Sequence, residues 1–243
     1  MIIEIKGAII SDGEQWIYDL FGMPATSPSK VNKALSEAEG QDVDVIINSG
    51  GGSVFAGSEM YTSLKDYSGY TKGKIVGIAA SAASVVSMGV RKLLMSPTAQ
   101  MMIHNSSMLA GGNKNDLTKD AETLGNIDKS IANSYMLKTR LSQNELLELM
   151  NKETWLTAQD AKEKGFIDEI MFDDGIQFNN SITNGVLLPQ EVINKIRNEK
   201  TIPSNIDKLN DLKKQTILSL SDKSPEFYNE IKRKKIRLQL DLI

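Results

Sequence analysis

Hydrophobic and polar positions along residues 1–105 follow two alternating periods, one typical of buried strands and the other of amphipathic helices. Five segments have the continuous or alternating apolar pattern of a strand: MIIEIKGAII (1–10), DVDVIINS (42–49), GKIVGIAA (73–80), KLLMS (92–96) and MMIHN (101–105). Three intervening segments have apolar residues at helical spacing: SPSKVNKALSEAEG (27–40), SVFAGSEMYTSLKDY (53–67) and residues 81 to about 90. In the first of these, Ser29 is the expected N-cap and Gly40 the stop. The alternation predicts βαβ units, and therefore an α/β fold with a largely parallel sheet.

A longer helical pattern follows the last of these strands. Residues Asn115 to Leu137 carry one apolar stripe: Leu117, Ala121, Leu124, Ile127, Ile131 and Tyr135. Because the sheet is already covered by the helices of the βαβ units, this helix is expected to protrude and to pack against another subunit. Two shorter helices are predicted after it, with start signals at Ser142 and Thr157 and a stop at Gly165.

The periodic pattern weakens near residue 174, which sets the expected domain boundaries. We predict one domain over 1–174, a linker or irregular segment over 175–206 and a charged, helical tail over 207–243. Net charge is −8 over residues 1–193 and +5 over 194–243, which together give the −3 of the whole chain. A basic tail can bind nucleic acid or an acidic partner, or it can be a solvated helix face; we expect no specific nucleic-acid binding and no membrane partner.

Composition excludes several classes of protein. The 243 residues include no cysteine, which rules out disulfides, a thiol nucleophile and thiolate metal sites. No run of 18 apolar residues is present, and Glu4 and Lys6 interrupt the first apolar run, so neither a membrane span nor a signal peptide is expected. We therefore expect a cytoplasmic protein without a cofactor or a metal ion.

One small, uncharged segment, GIAASAASVVSMG (77–89), raises the question of chemistry. Ser81 stands where the strand IVGIAA meets the next helix, so its hydroxyl and the free backbone N–H of Ala82 lie at a helix N-terminus. A serine at this position is either a simple helix cap or a nucleophile. Ser84 and Ser87 are expected to be small packing residues.

Two further features bear on that choice. His104 is the only histidine, and it follows the apolar run MMI at a predicted strand end, where a neutral imidazole could accept the Ser81 proton. The segment SGGGSVFAG (49–57) fails the phosphate-binding patterns for want of a Lys and of a final Gly, because Phe55 stands there. A backbone oxyanion donor at Gly51 remains the better interpretation of the glycines.

Together these segments resemble the ClpP-like serine peptidases, over about Ile2 to Ile170. INSGGGSVFAG is similar to that family's INSPGGSV-x-AG loop, GIAASAAS to its GxAASxxS nucleophile turn, and MMIHN to its MIH segment. ETWLTAQDAKEKGFIDEI is similar to the segment that carries the acidic triad member. The resemblance implies a ClpP/crotonase-like fold, Ser81 as nucleophile, His104 as base and Glu153 as the acid. It also implies that Gly51 and Ala82 supply oxyanion N–H groups.

The sequence departs from the family pattern in ways that affect the expected function. Gly50 replaces a Pro, Glu153 replaces an Asp, and the chain begins almost at its first strand, without the segment that forms axial loops. Glu153 is either the triad acid or an exposed residue on a solvated face. ETWLTA and the Asn after His104 are closest to the phage head maturation proteases, which implies cleavage of scaffold or capsid protein by a homo-oligomer, in the form of a ring.

Two alternatives to the phage protease remain. One is a stand-alone or ATPase-associated bacterial ClpP-type peptidase, and the other is an inactive crotonase-like assembly protein.

Overall fold

A computed structural model describes residues 1–172. The strands are β1 Ile2–Ile9, β2 Ala25–Thr26, β3 Val43–Gly52, β4 Thr71–Ala80, β5 Lys92–Met95, β6 Gln100–Ile103, β7 Thr154–Leu156 and β8 Glu169–Ile170. The helices are α1 Asp12–Leu20, α2 Pro28–Glu37, α3 Val54–Asp66, α4 Ala82–Ser87, α5 Lys114–Thr139, α6 Gln143–Asn151 and α7 Ala158–Glu163. The predicted linker over 175–206 and tail over 207–243 lie outside the described residues.

The sheet is largely parallel, as the βαβ pattern predicted. Its order is β2-β1-β3-β4-β5-β8, and each of these neighbouring pairs is parallel. The long strand β4 serves two partners: Lys72–Ile75 pair with β5, and Ile78–Ala80 pair with β6, also in parallel. β7 is antiparallel to β6 and is the exception among the described strands. The fold is α/β, with helices connecting the parallel strands.

The core lies where the central strands meet the helices that cover them. Ile47 of β3, Ile75 of β4 and Leu93 of β5 are completely buried, as are Met60 of α3 and Val86 of α4. Burial alternates along β3 and β4: Val43, Val45 and Ile47 are buried, whereas Asp44 and Ile46 between them are only half-buried. This packing makes the ends of β3, β4 and β6 rigid supports for polar side chains.

Several local predictions need correction. Ser27, not Ser29, is the N-cap of α2, because Pro28 occupies the first helical position, where its fixed φ fits and its missing N–H costs nothing. The helix α1 was not predicted; a capping box between Ser11 and Glu14 starts it. The glycines after Ser49 are also not a separate loop, since β3 continues through Gly52.

Helix α5 is only partly available to another subunit. Its 26 residues begin after the cap Asn113, whose side chain accepts the N–H groups of Asn115 and Asp116. In the first half of the helix, Leu117 is 46% exposed, whereas in the second half Ile131 is buried within the same chain. The expectation that the whole stripe faces outward is therefore wrong for the C-terminal half, which completes the subunit's own core.

Within residues 1–172, no helix is long and apolar enough to cross a membrane. No cluster of side chains suited to a metal ion occurs in the same range.

Candidate active site

The pairing of β4 with β6 brings Ser81 and His104 together. In this parallel ladder Ala80 is the partner of Met102, and the Ser81 N–H donates to the Met102 carbonyl at 2.9 Å. Ser81 therefore leaves the sheet beside Ile103, one residue before His104. The two side chains emerge at the carboxyl edge of the sheet, the usual place for a site in an open parallel sheet.

The imidazole of His104 is hydrogen-bonded to the Ser81 hydroxyl, with Nε2 and Oγ 2.7 Å apart. Both residues are half-buried, so the pair is sheltered but reachable from solvent. When Nδ1 carries the proton of the neutral ring, Nε2 accepts the Ser81 O–H, and this arrangement allows a proton to leave the hydroxyl as it attacks.

The Ser81 backbone does not have the geometry of an ordinary helix cap. Its φ of 54° and ψ of −126° lie in a region that residues with a Cβ rarely adopt, and its side chain makes no capping bond to α4. Holding a non-glycine residue there costs on the order of 1–3 kcal/mol, a strain that clusters at functional sites. A strained strand-to-helix turn of this kind exposes the hydroxyl of a nucleophile. Ser81 therefore does not act as a simple helix cap, because its hydroxyl accepts no hydrogen bond from a backbone N–H of α4.

Gly51 lies directly against this turn. A Cβ placed there would stand 2.6 Å from the Ala80 carbonyl oxygen and 2.7 Å from the Ser81 Cβ, and its φ of +95° also favours glycine. The Gly51 N–H donates to the buried Ser49 hydroxyl at 3.1 Å, and that hydroxyl donates to the Gly7 carbonyl at 2.6 Å. An oxyanion could use the Gly51 N–H only by replacing the Ser49 bond.

The Ala82 N–H has no such competitor. Ala82 is the first residue of α4, where a helix offers the N–H no internal acceptor. Within residues 1–172 this N–H has no hydrogen-bond partner. It belongs to the peptide unit that follows the candidate nucleophile, so it is the better placed of the two predicted oxyanion donors.

The Glu153 carboxylate is bonded to a residue other than His104. The antiparallel ladder of β6 and β7 ends at the pair of Ile103 and Thr154, and Glu153 lies just before β7 in a turn, with a φ of 47°. Its backbone N–H donates to the Met150 carbonyl at 3.0 Å. The Glu153 side chain is exposed, and its Oε1 accepts the Trp155 indole N–H at 3.3 Å. Among the described residues, the His104 ring bonds to Ser81 alone.

Polar residues that the sequence analysis missed hold the chain directly after His104. Asp128, a buried carboxylate on α5, accepts the Ser106 N–H at 2.6 Å and the Ser106 hydroxyl at 2.7 Å. The Asn105 side chain donates to the Asn151 side-chain oxygen at 2.6 Å. These hydrogen bonds connect Ser106 to α5 and Asn105 to α6, and they restrict the position of His104 directly before them. A polar residue inside the α5 stripe region, Asp128, was the available signal.

Ser84 and Ser87 are fully buried, as expected for packing residues, but both also hydrogen-bond. The Ser87 hydroxyl donates to the Ala83 carbonyl at 2.7 Å, a common bond within a helix. The Ser84 hydroxyl lies 2.6 Å from the Ser81 carbonyl and 2.7 Å from the Tyr135 hydroxyl. Ser84 therefore contacts the turn of the candidate nucleophile.

Comparison with known proteins shows which family the chain resembles. The sequence model of the Clp protease family, described as "Clp protease", matches residues 30–174. The chain is 31% identical over 137 residues to an ATP-dependent Clp protease proteolytic subunit 1 of Chlamydia abortus, covering 55% of this chain and 71% of that protein. It is 32% identical over 136 residues to an ATP-dependent Clp protease proteolytic subunit of Bacteroides fragilis, covering 54% and 65%. An ATP-dependent Clp protease proteolytic subunit 1 of Corynebacterium jeikeium is 30% identical over 135 residues, covering 54% of this chain and 71% of that protein.

Proposed function

The chain belongs to the Clp protease family and is a serine endopeptidase of the ClpP type, and we propose that Ser81 is its nucleophile and His104 its general base. In this proposal Glu153 orients the imidazole after its carboxylate turns from the Trp155 indole to His104, and the N–H groups of Ala82 and Gly51 form the oxyanion hole. One observation carries these roles: a hydroxyl on a strained strand-to-helix turn, 2.7 Å from the Nε2 of the chain's single histidine.

The mechanism follows from this arrangement. Ser81 Oγ bonds to the carbonyl carbon of the scissile peptide while its proton passes to His104 Nε2. The carbonyl oxygen becomes an oxyanion, which the Ala82 N–H stabilises together with the Gly51 N–H once that group leaves Ser49. The C–N bond then breaks, the amine takes the proton from Nε2, and an acyl-enzyme remains on Ser81. A water molecule, deprotonated by His104, releases the acid and restores the serine.

Labelling with a fluorophosphonate probe tests the proposed roles directly. We expect wild type to be labelled at Ser81, and Ser81→Ala and His104→Ala to lose about 10³-fold or more of the peptidase activity with unchanged thermal unfolding. Labelling at another residue, or activity near wild type in Ser81→Ala, would show that the roles are assigned wrongly. The absence of any labelling would instead favour an inactive assembly protein.

We propose that the enzyme acts in phage head maturation, in the cytoplasm of the host cell, on scaffold or capsid protein. The support is the similarity of ETWLTA and of the His104–Asn105 pair to that branch. The second candidate is a proteolytic subunit fed by an ATPase, which the names of the relatives favour. Portal and major capsid genes beside this gene support the first candidate. Cleavage of a co-expressed capsid protein by wild type but not by Ser81→Ala, measured by mass spectrometry, tests it directly.

We also propose that the chain works as a homo-oligomer, in the form of a ring. The first half of α5 supports this, because Leu117 is exposed there while the second half of the helix is packed into the core. Light scattering on the full chain measures the mass. A monomer at micromolar concentration with full activity would overturn the proposal.

A further inference from the structure

Two buried hydroxyl groups form a chain of hydrogen bonds that ends at the Ser81 carbonyl. The Tyr135 hydroxyl on α5 is 2.7 Å from the Ser84 hydroxyl on α4, which is 2.6 Å from the Ser81 carbonyl oxygen. Tyr135 is 1% exposed and Ser84 is not exposed at all. Water therefore does not compete for these hydrogen bonds, and the Tyr135 hydroxyl has the Ser84 hydroxyl as its hydrogen-bond partner.

The direction of both bonds follows from the chemistry of the groups. A carbonyl oxygen only accepts, and a serine hydroxyl has one proton to donate. Ser84 therefore donates to the Ser81 carbonyl, and the Tyr135 hydroxyl must donate to Ser84. Burial strongly raises the pKa of Tyr135, so this phenol keeps its proton wherever a histidine base can work.

A hydrogen bond to the Ser81 carbonyl also affects the orientation and the donor strength of the Ala82 N–H. The Ser81 C=O and the Ala82 N–H belong to one planar trans peptide unit and point in opposite directions. Whatever holds the carbonyl therefore aims the N–H. Hydrogen bonds accepted by the carbonyl also polarise the unit and make its N–H a stronger donor.

From this geometry we infer that Ser84 and Tyr135 are positioning residues, which hold the Ser81–Ala82 peptide so that the Ala82 N–H points at the oxyanion. The inference rests on the proposed function, since it takes the oxyanion to form beside Ala82. The N–H groups of Ser84 and Val85 also donate to the Ser81 carbonyl, at 3.0 Å and 3.4 Å. The hydroxyl bond is the shortest of the three, and it is the one that links this peptide to α5.

Side-chain variants separate this role from simple packing, and the same helix supplies a matched control. Ser87→Ala removes a buried hydroxyl of the same kind, but one that donates to the Ala83 carbonyl at 2.7 Å and not to the Ser81 carbonyl. Tyr135→Phe removes only the hydroxyl and keeps the ring against Phe166, whose centroid is 5.6 Å away. Ser84→Ala leaves the Tyr135 hydroxyl buried without an acceptor, so the double variant Ser84→Ala/Tyr135→Phe is needed to remove that loss of stability.

The assay is hydrolysis of a blocked p-nitrophenyl peptide ester by the full chain, with kcat normalised to sites titrated from the acyl-enzyme burst. Loss of a whole oxyanion donor costs about 10²–10³-fold in kcat, so for a donor kept but misaimed in Ser84→Ala we expect roughly a 10-fold fall with KM unchanged. Tyr135→Phe should fall by about 3-fold, and the double variant should match Ser84→Ala, because the tyrosine acts through the serine. Ser87→Ala should stay within about 2-fold of wild type.

The possible outcomes separate a failure of the positioning role from a failure of the proposed function. If wild-type Ser81 reacts with fluorophosphonate but Ser84→Ala and Ser87→Ala have the same normalised kcat, the positioning role alone is overturned. A wild type that does not react at Ser81 overturns the proposed function and this role with it. A fall in kcat confined to the variants that lack the Ser84 hydroxyl or the Tyr135 hydroxyl supports the inference.

Discussion

Replacing Gly51 by alanine tests the fit between the end of β3 and the nucleophile turn. The new Cβ would stand 2.6 Å from the Ala80 carbonyl oxygen, 2.7 Å from the Ser81 Cβ and 3.0 Å from the Ala82 nitrogen. Since ordinary contacts begin near 3.4 Å, either the glycine segment or the Ser81 turn must move by several tenths of an ångström. The positive φ adds strain of about 1–3 kcal/mol for a residue with a Cβ.

Movement of this size matters more for activity than for folding. A misplacement of about 1 Å at a reacting group can cost about 10²-fold, so we expect Gly51→Ala to lower kcat by about 10–100-fold. The neighbouring variant Gly50→Ala is the control, because a Cβ at Gly50 meets nothing within 4 Å and its φ is not positive. Gly50→Ala should retain the activity and the stability of wild type.

The measurement is kcat and KM on the peptide ester, together with the rate of fluorophosphonate labelling and the urea midpoint of each variant. In Gly51→Ala both kcat and the rate of fluorophosphonate labelling should fall. The fall in urea midpoint should correspond to no more than the backbone strain of about 1–3 kcal/mol. If Gly51→Ala keeps wild-type kcat, the close approach of β3 to the Ser81 turn has no bearing on catalysis and the reasoning fails.

Three other predictions concern the acid, the long helix and the buried phenol. Glu153→Gln should lower kcat by at least about 10-fold if the carboxylate turns from Trp155 to His104, since an amide can favour the wrong imidazole tautomer; a change below about threefold in the pH–rate profile's plateau would exclude that role. Leu117→Glu should lower the mass found by light scattering without lowering the melting temperature. Ile131→Glu should instead unfold the subunit, because Ile131 is 7% exposed and packed in the core. Equal melting temperatures of the two variants would contradict this division of α5. Burial raises the pKa of Tyr135, so its contribution to stability is complete below pH 10.0, the ordinary value, and is lost as pH rises above it; Tyr135→Phe should flatten the alkaline decline in urea midpoint, and an unchanged decline would assign it to other groups.

Local patterns in the sequence were enough to predict the architecture. Apolar runs over 42–49 and 73–80, with helical spacing between them, are short-range consequences of burial, and they predicted the parallel α/β sheet that the structure contains. Elements with weak local signals were missed: β2 has two residues and β8 has two, so neither has a period to detect. α1 was missed although its capping box was present in the sequence.

The candidate site divides in the same way. Ser81, His104 and Gly51 could be selected from the sequence, because a small-residue turn, a single histidine and a glycine run are visible in the chain itself. Their proximity depends on the pairing of β6 with the last residues of β4, which gives the 2.7 Å contact between residues 23 apart in sequence.

Only the tertiary structure decided which neighbours act on these groups. The Tyr135 hydroxyl reaches Ser84 across 51 residues, and the Glu153 carboxylate accepts the Trp155 indole N–H instead of bonding to His104. Hydrophobic periodicity determines which face of a helix or strand is buried, because it depends on the residue types alone. The partner of a polar group at the end of an element depends on how the elements pack, and no local pattern in this chain encodes that.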